Sequence, residues 1–383
     1  MQFGGRVFQS EREYSHRERL AGERVRDLEQ TPTQNRRVVE HYASHLVSGM
    51  VTAKDVYAGD GTVLVSAGAV LNRQTIEKLN KWAIAKVPVL IEAGTSPLQD
   101  PKIRQFMHNY QTSVHAVEQA FDMIRADGEV PLQPFEEAAG RITEDVLSTG
   151  NAVDQLYNLP PCDDYTFRHC VNVSVVSAMI AMWLKYPADI INAISLAGLM
   201  HDIGKSKLPP ELLHKPFRLP PAKYELYKEH TSLGVELLRG RPDIGESVMA
   251  GVLEHHERCD GSGYPAQLRA EDIHPYARII AIADRYDEEL TINLNPEIVV
   301  SPYTSLEKVW DEVTRFDVKG CVTFMDNMTN FLSGNIVALS DKRQGRVVYI
   351  NKEWPSRSMV QLENGDVLDL MDEGSPRIQH LVR

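Results

Sequence analysis

The stretch IINAISLAGLMHDIGK, residues 190–205, joins an apolar run directly to a His-Asp pair. Its apolar residues recur at helical spacing, so we predict a buried helix over 188–202. A second predicted helix, over 243–257, ends in the same way at His255-His256 and runs into ERCDGSGYP. Imidazoles and carboxylates on several helices of one bundle can converge on a metal ion. The stretch therefore predicts a helical domain that carries a metal site.

Helical periodicity extends outward from this stretch over roughly 230 residues. We assign 161–332 to an all-helical domain and 97–160 to a linker with leading helices. Two interpretations of the helical stretch 102–157 stay open, a homodimer interface or the first part of the bundle. The predicted helices cover 102–126, 134–157, 164–186, 188–202, 221–239, 243–257, 275–290 and 304–316.

Both flanks of the helical domain have the composition of β-structure. Residues 36–96 contain clustered β-branched residues and the turn signal Gly-Asp-Gly at 59–61, and residues 333–383 alternate apolar and polar residues around Asn-Gly at 364–365. Residues 1–35 are rich in Arg, Glu and Gln and predict a charged arm, solvated or disordered. The fold class is therefore mainly α: a helical bundle flanked by small β-rich N-terminal and C-terminal modules.

Composition excludes several classes of protein. With 41 Lys+Arg against 53 Asp+Glu, the net charge of −12 argues against a DNA-binding protein. Four scattered cysteines without a CxxC motif argue against a disulfide framework or a zinc ribbon. The most apolar run, 171–184, is shorter than the ~20 residues of a membrane span, and the N-terminus has no signal-peptide pattern. We expect a cytoplasmic protein.

Seven potential metal ligands fall in the helical block. A single histidine at a helix end is usually a capping or core residue. Five histidines and two aspartates in 116 residues make coincidence a poor explanation. An adjacent His-Asp pair can give one metal its imidazole while the carboxylate bridges two metals, an arrangement that can hold a hydroxide and a phosphate for in-line displacement. The seven are His169, His201, Asp202, His230, His255, His256 and Asp284.

Four motifs resemble the HD-GYP family of bacterial phosphodiesterases, over about residues 163–331. They are HDIGKSKLPPELLHKP (201–216), KEHTSLG (228–234), HHERCDGSGYP (255–265) and ARIIAIADRYD (277–287). The resemblance implies an HD-type helical bundle that uses two or three iron or manganese ions. It also implies hydrolysis of cyclic di-GMP, through a bridging hydroxide, to the linear dinucleotide, to GMP or to both.

Carried over residue by residue, the resemblance makes the seven side chains metal ligands, with Asp202 bridging. It makes Lys205 the residue that binds the scissile phosphate and assists the leaving group, so that Asp202 and Lys205 are the catalytic pair. The substrate-binding residues that it implies, or that lie beside the matched motifs, are Lys205, Arg258, Tyr264, Arg278 and Arg285.

This chain departs from the family pattern at two places. Some members have a Glu four residues before the first histidine, where it supports a third metal; here that position is Tyr165, so two metals are expected unless Asp163 or Asp164 reaches the site. The run after the last ligand, ADRYDEELTINLNPEIVVSPY (283–303), lacks the family's downstream Arg and adds Glu288-Glu289. Ligand preference is therefore expected to differ from the family norm.

Two alternatives to a cyclic di-GMP phosphodiesterase stay open. The first is a weakly active sensor of cyclic dinucleotides, or a hydrolase of another cyclic dinucleotide, which the altered 288–296 run favours. The second is an HD phosphohydrolase of mononucleotides, which HHERCDGSGYP disfavours. The segment 49–72 is similar to a small domain often found before HD-GYP domains, through which signalling partners would act.

Overall fold

The structure is a computed structural model. The charged arm predicted for residues 1–35, and Asp163 and Asp164, lie outside the residues that it describes. The described residues are 36–43, 46, 50–58, 61–71, 73–82, 84, 86–92, 101–149, 156, 165–212, 219–291 and 301–382.

The N-terminal module is a small β-rich unit with its own apolar core. A three-stranded antiparallel sheet has the order β1-β5-β2, and β3 pairs with β4 in a separate antiparallel pair. Gly59 and Asp60 of the predicted turn lie outside the described residues. Its core contains Leu71, Leu79, Val87 and Val89. The elements are β1 (Arg36–Tyr42), β2 (Val51–Thr52), β3 (Val56–Tyr57), β4 (Val63–Val65), α1 (Arg73–Lys81) and β5 (Lys86–Glu92).

A helical bundle follows and confirms the predicted fold class. Short 3₁₀ helices at Ile203–Lys207, Pro210–Leu212 and Val313–Arg315 connect some of its helices. The α-helices are α2 (Pro101–Asp127), α3 (Leu132–Thr149), α4 (Tyr165–Trp183), α5 (Ala188–Met200), α6 (Pro221–Lys228), α7 (His230–Leu238), α8 (Glu246–Glu254), α9 (Pro275–Thr291), α10 (Pro302–Asp311) and α11 (Val318–Leu332).

α2 and α3 form the first part of this bundle. The rings of Phe121 and Phe167 meet edge to face with centroids 5.4 Å apart, which docks α2 on α4. Phe135, Ile142 and Val146 of α3 are buried in the same apolar core. Over residues 102–149, the part of this stretch that α2 and α3 cover, the apolar face is thus largely used within the chain.

Two helices differ from the prediction. The helix predicted over 221–239 is two helices that meet at Glu229, so His230 begins α7 instead of lying inside a longer helix. α11 was not predicted, although its buried Cys321, Phe324, Met325 and Met328 follow helical spacing. Asp317 begins α11 by accepting a hydrogen bond from the Gly320 amide at 2.6 Å.

The C-terminal module is a five-stranded antiparallel sheet in the order β10-β6-β7-β8-β9. Val337, Val347 and Val360 continue the apolar core of the bundle, so the sheet packs on the helices. The predicted Asn-Gly turn joins β8 to β9. The strands are β6 (Ile336–Leu339), β7 (Gln344–Tyr349), β8 (Met359–Leu362), β9 (Val367–Asp369) and β10 (Ile378–Leu381). Among the described helices, none has the length and apolarity to cross a membrane.

Candidate metal centre

The structure brings the seven predicted ligands together from five helices. His169 lies in α4 and Asp284 in α9, whereas the others lie at helix ends: His201-Asp202 after α5, His230 at the start of α7 and His255-His256 after α8. All seven side chains are buried. Helix ends let short loops point several ligands into one space, which a continuous helix cannot do.

His169, His201, Asp202 and Asp284 make up the first cluster. The Nε2 atom of His201 lies 3.3 Å from Nε2 of His169 and 3.3 Å from Oδ2 of Asp202. Oδ1 of Asp284 lies 3.1 Å from Nε2 of His169. Ligand atoms that share one first-row metal ion, each about 2.0–2.2 Å from it, lie at such separations from each other.

His230, His255 and His256 make up the second cluster. One ring nitrogen from each lies within 4.8 Å of the other two. The Nε2 atoms of His230 and His255 are 3.3 Å apart, and Nδ1 of His256 is 3.7 Å from Oδ2 of Asp284. Asp284 therefore faces both clusters.

Asp202 lies between the clusters. Its Oδ2 atom faces the first cluster, and its Oδ1 atom lies 3.4 Å from Nε2 of His230 in the second. Within the described part of the chain, Oδ1 of Asp202, Oδ2 of Asp284 and Nε2 of His256 are buried without a hydrogen-bond partner. Leaving such an atom unpaired costs about 1–3 kcal/mol. This mixed imidazole and carboxylate set fits a pair of divalent cations.

Backbone carbonyls orient three of the imidazoles. Nδ1 of His201, His230 and His255 lies 2.8, 2.6 and 2.8 Å from the carbonyl oxygen three residues earlier in each case. A carbonyl only accepts, so each Nδ1 carries the hydrogen and donates it. The lone pair of each Nε2 is thereby directed at the cluster, as a metal ligand requires.

His169 is oriented instead by a side chain. Its Nδ1 lies 2.7 Å from Oδ2 of Asp287, and Oδ1 of Asp287 accepts a hydrogen bond from Nδ2 of Asn172 at 2.8 Å. Asp287 was not a predicted site residue. Its position three residues after Asp284, on the same face of α9, was the available signal.

The carboxylates hold a proton on the first cluster when no metal is bound. Burial alone would lower the pKa of His169, but hydrogen bonds to Asp284 and Asp287 raise it to about 10. Burial would likewise raise the pKa of Asp202, and the neighbouring His201 and Lys205 hold it well below its usual value. A cation bound here would take the place of the Nε2 proton of His169.

The three imidazoles of the second cluster are neutral and can bind a metal ion directly. Burial lowers the pKa of His230 to about 4, in spite of the charge of Asp202. Burial and neighbouring imidazoles also hold the pKa values of His255 and His256 well below the ordinary value. Neutral imidazole is the form that binds a metal.

Gly204 permits the close approach that brings Asp202 to His230. A Cβ atom at Gly204 would lie 1.9 Å from the carbonyl oxygen of His230 and 2.5 Å from the amide nitrogen of Gly234. Because both neighbours are backbone atoms, no side-chain rotation relieves the overlap. Only glycine lets the turn after Asp202 lie against α7.

The loop from His256 to Leu268 forms one rim of the site. A Cβ atom at Gly263 would lie 2.4 Å from the amide nitrogen of Arg258. Buried Glu257 accepts hydrogen bonds from the amides of Ala266 and Leu268 at 2.6 and 2.9 Å and ties the loop down. The Tyr264 ring is thereby placed over His256, with centroids 4.7 Å apart.

Lys205 lies inside the site. Its Nζ donates a hydrogen bond to Oδ2 of Asp202 and stands 5.0 Å from the centroid of the Tyr227 ring. The side chain is almost fully buried. The ammonium group is therefore within reach of anything bound at the two clusters.

A cavity of about 410 Å³ opens beside the second cluster. Tyr224, Tyr227 and Tyr264 give it aromatic walls, and Arg258, Arg315 and Glu288 give it charge. Burial, and then the charge of Asp284, raise the pKa of Glu288 to about 7. The mixture of aromatic rings and cations suits a nucleotide.

Of the three arginines predicted to bind substrate, only Arg258 lines this cavity. Its guanidinium lies 4.8 Å from the centroid of the Phe316 ring. Arg278 turns away and donates to the Ile273 carbonyl at 2.7 Å. Arg285 is held by Glu289 at 2.7 Å and by Glu312 at 2.9 Å.

The structure therefore does not bring Arg278 or Arg285 to the cavity, because Arg278 is bonded to the Ile273 carbonyl and Arg285 to Glu289 and Glu312. Arg315, which sequence reasoning missed, lines the cavity instead and contacts Oγ of Ser262 at 3.3 Å. Arg315 lies 53 residues beyond Ser262 in the sequence, so nothing local in the sequence connected the two.

Comparison with known proteins agrees with this geometry. Residues 152–318 match the family model described as HD domain. A cyclic di-GMP phosphodiesterase of Pseudomonas aeruginosa is 33% identical over 208 residues, which are 54% of this chain and 50% of that protein. A 3′3′-cGAMP-specific phosphodiesterase of Vibrio cholerae is 35% identical over 159 residues, 40% of this chain and 35% of that protein. The matches thus span half or less of the length of these relatives.

One solved structure resembles this chain over most of its length. It is an HDG"Y"P protein from Bdellovibrio bacteriovorus, with a TM-score of 0.50 and 17% identity over 76% of this chain and 99% of the other. At that identity, the likeness concerns the fold alone.

Proposed function

Since residues 152–318 match the family model described as HD domain, we propose that this chain is a metal-dependent phosphodiesterase of cyclic dinucleotides of the HD-GYP type, with cyclic di-GMP as its substrate. One observation carries the proposal: two buried imidazole clusters face the carboxylate of Asp202, and among the described residues Oδ1 of Asp202, Oδ2 of Asp284 and Nε2 of His256 are buried without a hydrogen-bond partner. Such a set has no purpose in a purely structural core, where each unpaired atom is destabilising.

Divalent cations bound at the two clusters supply Lewis-acid activation of the phosphodiester and of the attacking water. His169, His201, Asp202 and Asp284 would hold one, and the second cluster together with Asp202 would hold the other. Imidazole with carboxylate suits iron or manganese. The number of ions expected is two.

The chain's own residues bind and orient the substrate. Lys205, beside Asp202, places a positive charge where negative charge develops on a phosphoryl oxygen. Tyr264 and Tyr224 offer faces on which a guanine base can stack. Arg258 and Arg315 lie on the cavity wall and would bind the phosphate away from the cleavage point.

Product analysis tests the proposal. Anaerobically purified protein is loaded with Fe²⁺ or Mn²⁺, given cyclic di-GMP and assayed by chromatography. We expect linear dinucleotide or GMP from the wild type and none from Asp202→Ala. Asp372→Asn, which changes an exposed carboxylate of the C-terminal module, is the matched control and should behave as wild type. An intact ligand in a metal-loaded wild-type protein contradicts the proposal.

A second candidate function, a sensor or a hydrolase of another cyclic dinucleotide, is favoured by one observation. Glu288 lines the cavity where the ligand would lie, and Arg285, three residues earlier on α9, is held by Glu289 and Glu312. Running 3′3′-cGAMP beside cyclic di-GMP in the same assay separates these functions. Binding without turnover of either ligand indicates the sensor.

A further inference from the structure

A chain of buried hydrogen bonds leads from α2 to the first cluster. The Tyr110 hydroxyl donates to Oδ1 of Asn172 at 2.7 Å, and Nδ2 of Asn172 donates to Oδ1 of Asp287 at 2.8 Å. Oδ2 of Asp287 then accepts from Nδ1 of His169 at 2.7 Å. Each of these four residues is at most 8% exposed.

We propose that Tyr110 is a positioning residue for the metal centre and acts on His169 through Asn172 and Asp287. The inference rests on the proposed metal centre. Tyr110 belongs to α2, which precedes the matched residues 152–318, so the site depends on a helix outside the HD domain match.

The physical argument starts from the two ends of an amide. The amide of Asn172 can present either its oxygen or its NH₂ group to Asp287, and only the NH₂ group is attractive to a carboxylate. The Tyr110 hydroxyl donates to the Asn172 oxygen and so supports the orientation in which the NH₂ group faces Asp287. Without the hydroxyl, the buried Asn172 oxygen loses this partner, and the amide and Asp287 are held less firmly.

Asp287 in turn decides which nitrogen of His169 faces the metal. Its carboxylate accepts the Nδ1 hydrogen and leaves Nε2 directed at Asp202, Asp284 and His201. Outer partners of this kind are typically worth 10–100-fold in metal affinity. Tyr110 is two hydrogen bonds further out, so the lower end of that range applies.

The position of α2 is itself fixed by packing. The Phe121–Phe167 contact docks α2 on the helix that carries His169, and Phe106, Val117 and Ile124 of α2 are buried in the apolar core of the bundle. The hydroxyl is thus delivered by a rigid element and not by a loop.

The test compares two isosteric changes in the full-length chain. Tyr110→Phe removes only the hydroxyl of the relay. Tyr303→Phe is the matched control, because Tyr303 is also fully buried and donates one 2.7 Å hydrogen bond, to the Leu332 carbonyl, away from the site. Metal affinity is measured by titration with Mn²⁺ against a chelator, and the ligand field by the visible bands of the Co²⁺-loaded protein.

We expect Tyr110→Phe to weaken the binding of one of the two ions by about tenfold and to shift the Co²⁺ bands. The affinity for the other ion should stay unchanged. Tyr303→Phe should lower the melting temperature about as much as Tyr110→Phe does, because each change removes one buried hydrogen bond. It should leave the metal affinity and the Co²⁺ bands as in wild type. Asp287→Asn, as a second variant, should give the same change as Tyr110→Phe, only larger.

Equal metal affinities and spectra for Tyr110→Phe, Tyr303→Phe and wild type would overturn the inference, as would a wild-type protein that binds no metal. Neither readout requires turnover. A chain that binds two ions with the expected Tyr110 effect, but leaves cyclic di-GMP intact, therefore contradicts the proposed function and not this inference.

Discussion

Replacing Gly204 by alanine should uncouple the two clusters. The new Cβ would lie 1.9 Å from the carbonyl oxygen of His230, and real Cβ contacts essentially never fall below 3.0 Å, so α7 must retreat by about 1.1 Å. Nε2 of His230 is now 3.4 Å from Oδ1 of Asp202, and a retreat along the line that joins them would place it about 4.5 Å away. Metal–nitrogen and metal–oxygen bonds of about 2.1 and 2.2 Å span at most about 4.3 Å, even in a straight line. One ion could no longer be shared by Asp202 and His230.

We therefore expect Gly204→Ala to bind one metal ion per chain instead of two and to lose phosphodiesterase activity. Overpacking against backbone should also cost about 1–3 kcal/mol of unfolding free energy. Elemental analysis after gel filtration gives the metal content, and thermal melting gives the stability. Gly140→Ala is the control: Gly140 is exposed on α3 with no atom near its missing Cβ, so the change should stabilise the helix by about 0.5–1 kcal/mol. Two tightly bound ions in Gly204→Ala would refute the reasoning.

Three further predictions follow from the same geometry. In Gly263→Ala the new Cβ would lie 2.4 Å from the backbone at Glu257 and Arg258. The change should displace Tyr264 and raise KM about tenfold, while the metal content stays at two ions per chain. An unchanged KM would contradict this. In the metal-free protein the pKa of His230 is lowered to about 4, so the unfolded chain binds more protons than the folded chain between pH 6.5 and pH 4. The free energy of unfolding therefore decreases as the pH falls through that window, and this residue contributes about 1.4 kcal/mol per pH unit. Urea unfolding in chelator at several pH values should show a shallower loss for His230→Gln, and identical slopes would rule the explanation out. Finally, Glu288 should ionise as the pH rises through its pKa of about 7 and should then repel a dianionic ligand. The Kd of cyclic di-GMP, measured by calorimetric titration, should increase by roughly fivefold over that pH range. Glu288→Gln should abolish the increase.

The bundle was predictable because its helices carry strong apolar periodicity and end at Pro or Gly signals. α11 was missed, since its run of β-branched and aromatic residues lacks an obvious start signal apart from Asp317. The break at Glu229 was missed because both halves are good helix formers, and tertiary packing decides where one helix ends.

The candidate ligands could be predicted because their residue types are rare in cores and occur in recognisable pairs. Their supporting partners could not, since they are set by distance in space. Tyr110 is 62 residues from Asn172, and Asp287 is 118 residues from His169. The placement of Arg285 was equally hidden, because its acidic partner Glu312 lies on a different element.

The docking of α2 on α4 determines which residues a fragment must include to keep the metal centre intact. A fragment trimmed to residues 152–318 would keep every candidate ligand and lose Tyr110, together with the ring that covers Phe167. Its cut surface would uncover Phe167 and Asn172, the α4 side chains that Phe121 and Tyr110 contact, and invite aggregation. The smallest piece that preserves the environment of His169 begins at α2, near residue 101. The domain boundary drawn from family resemblance is therefore narrower than the one that the packing defines.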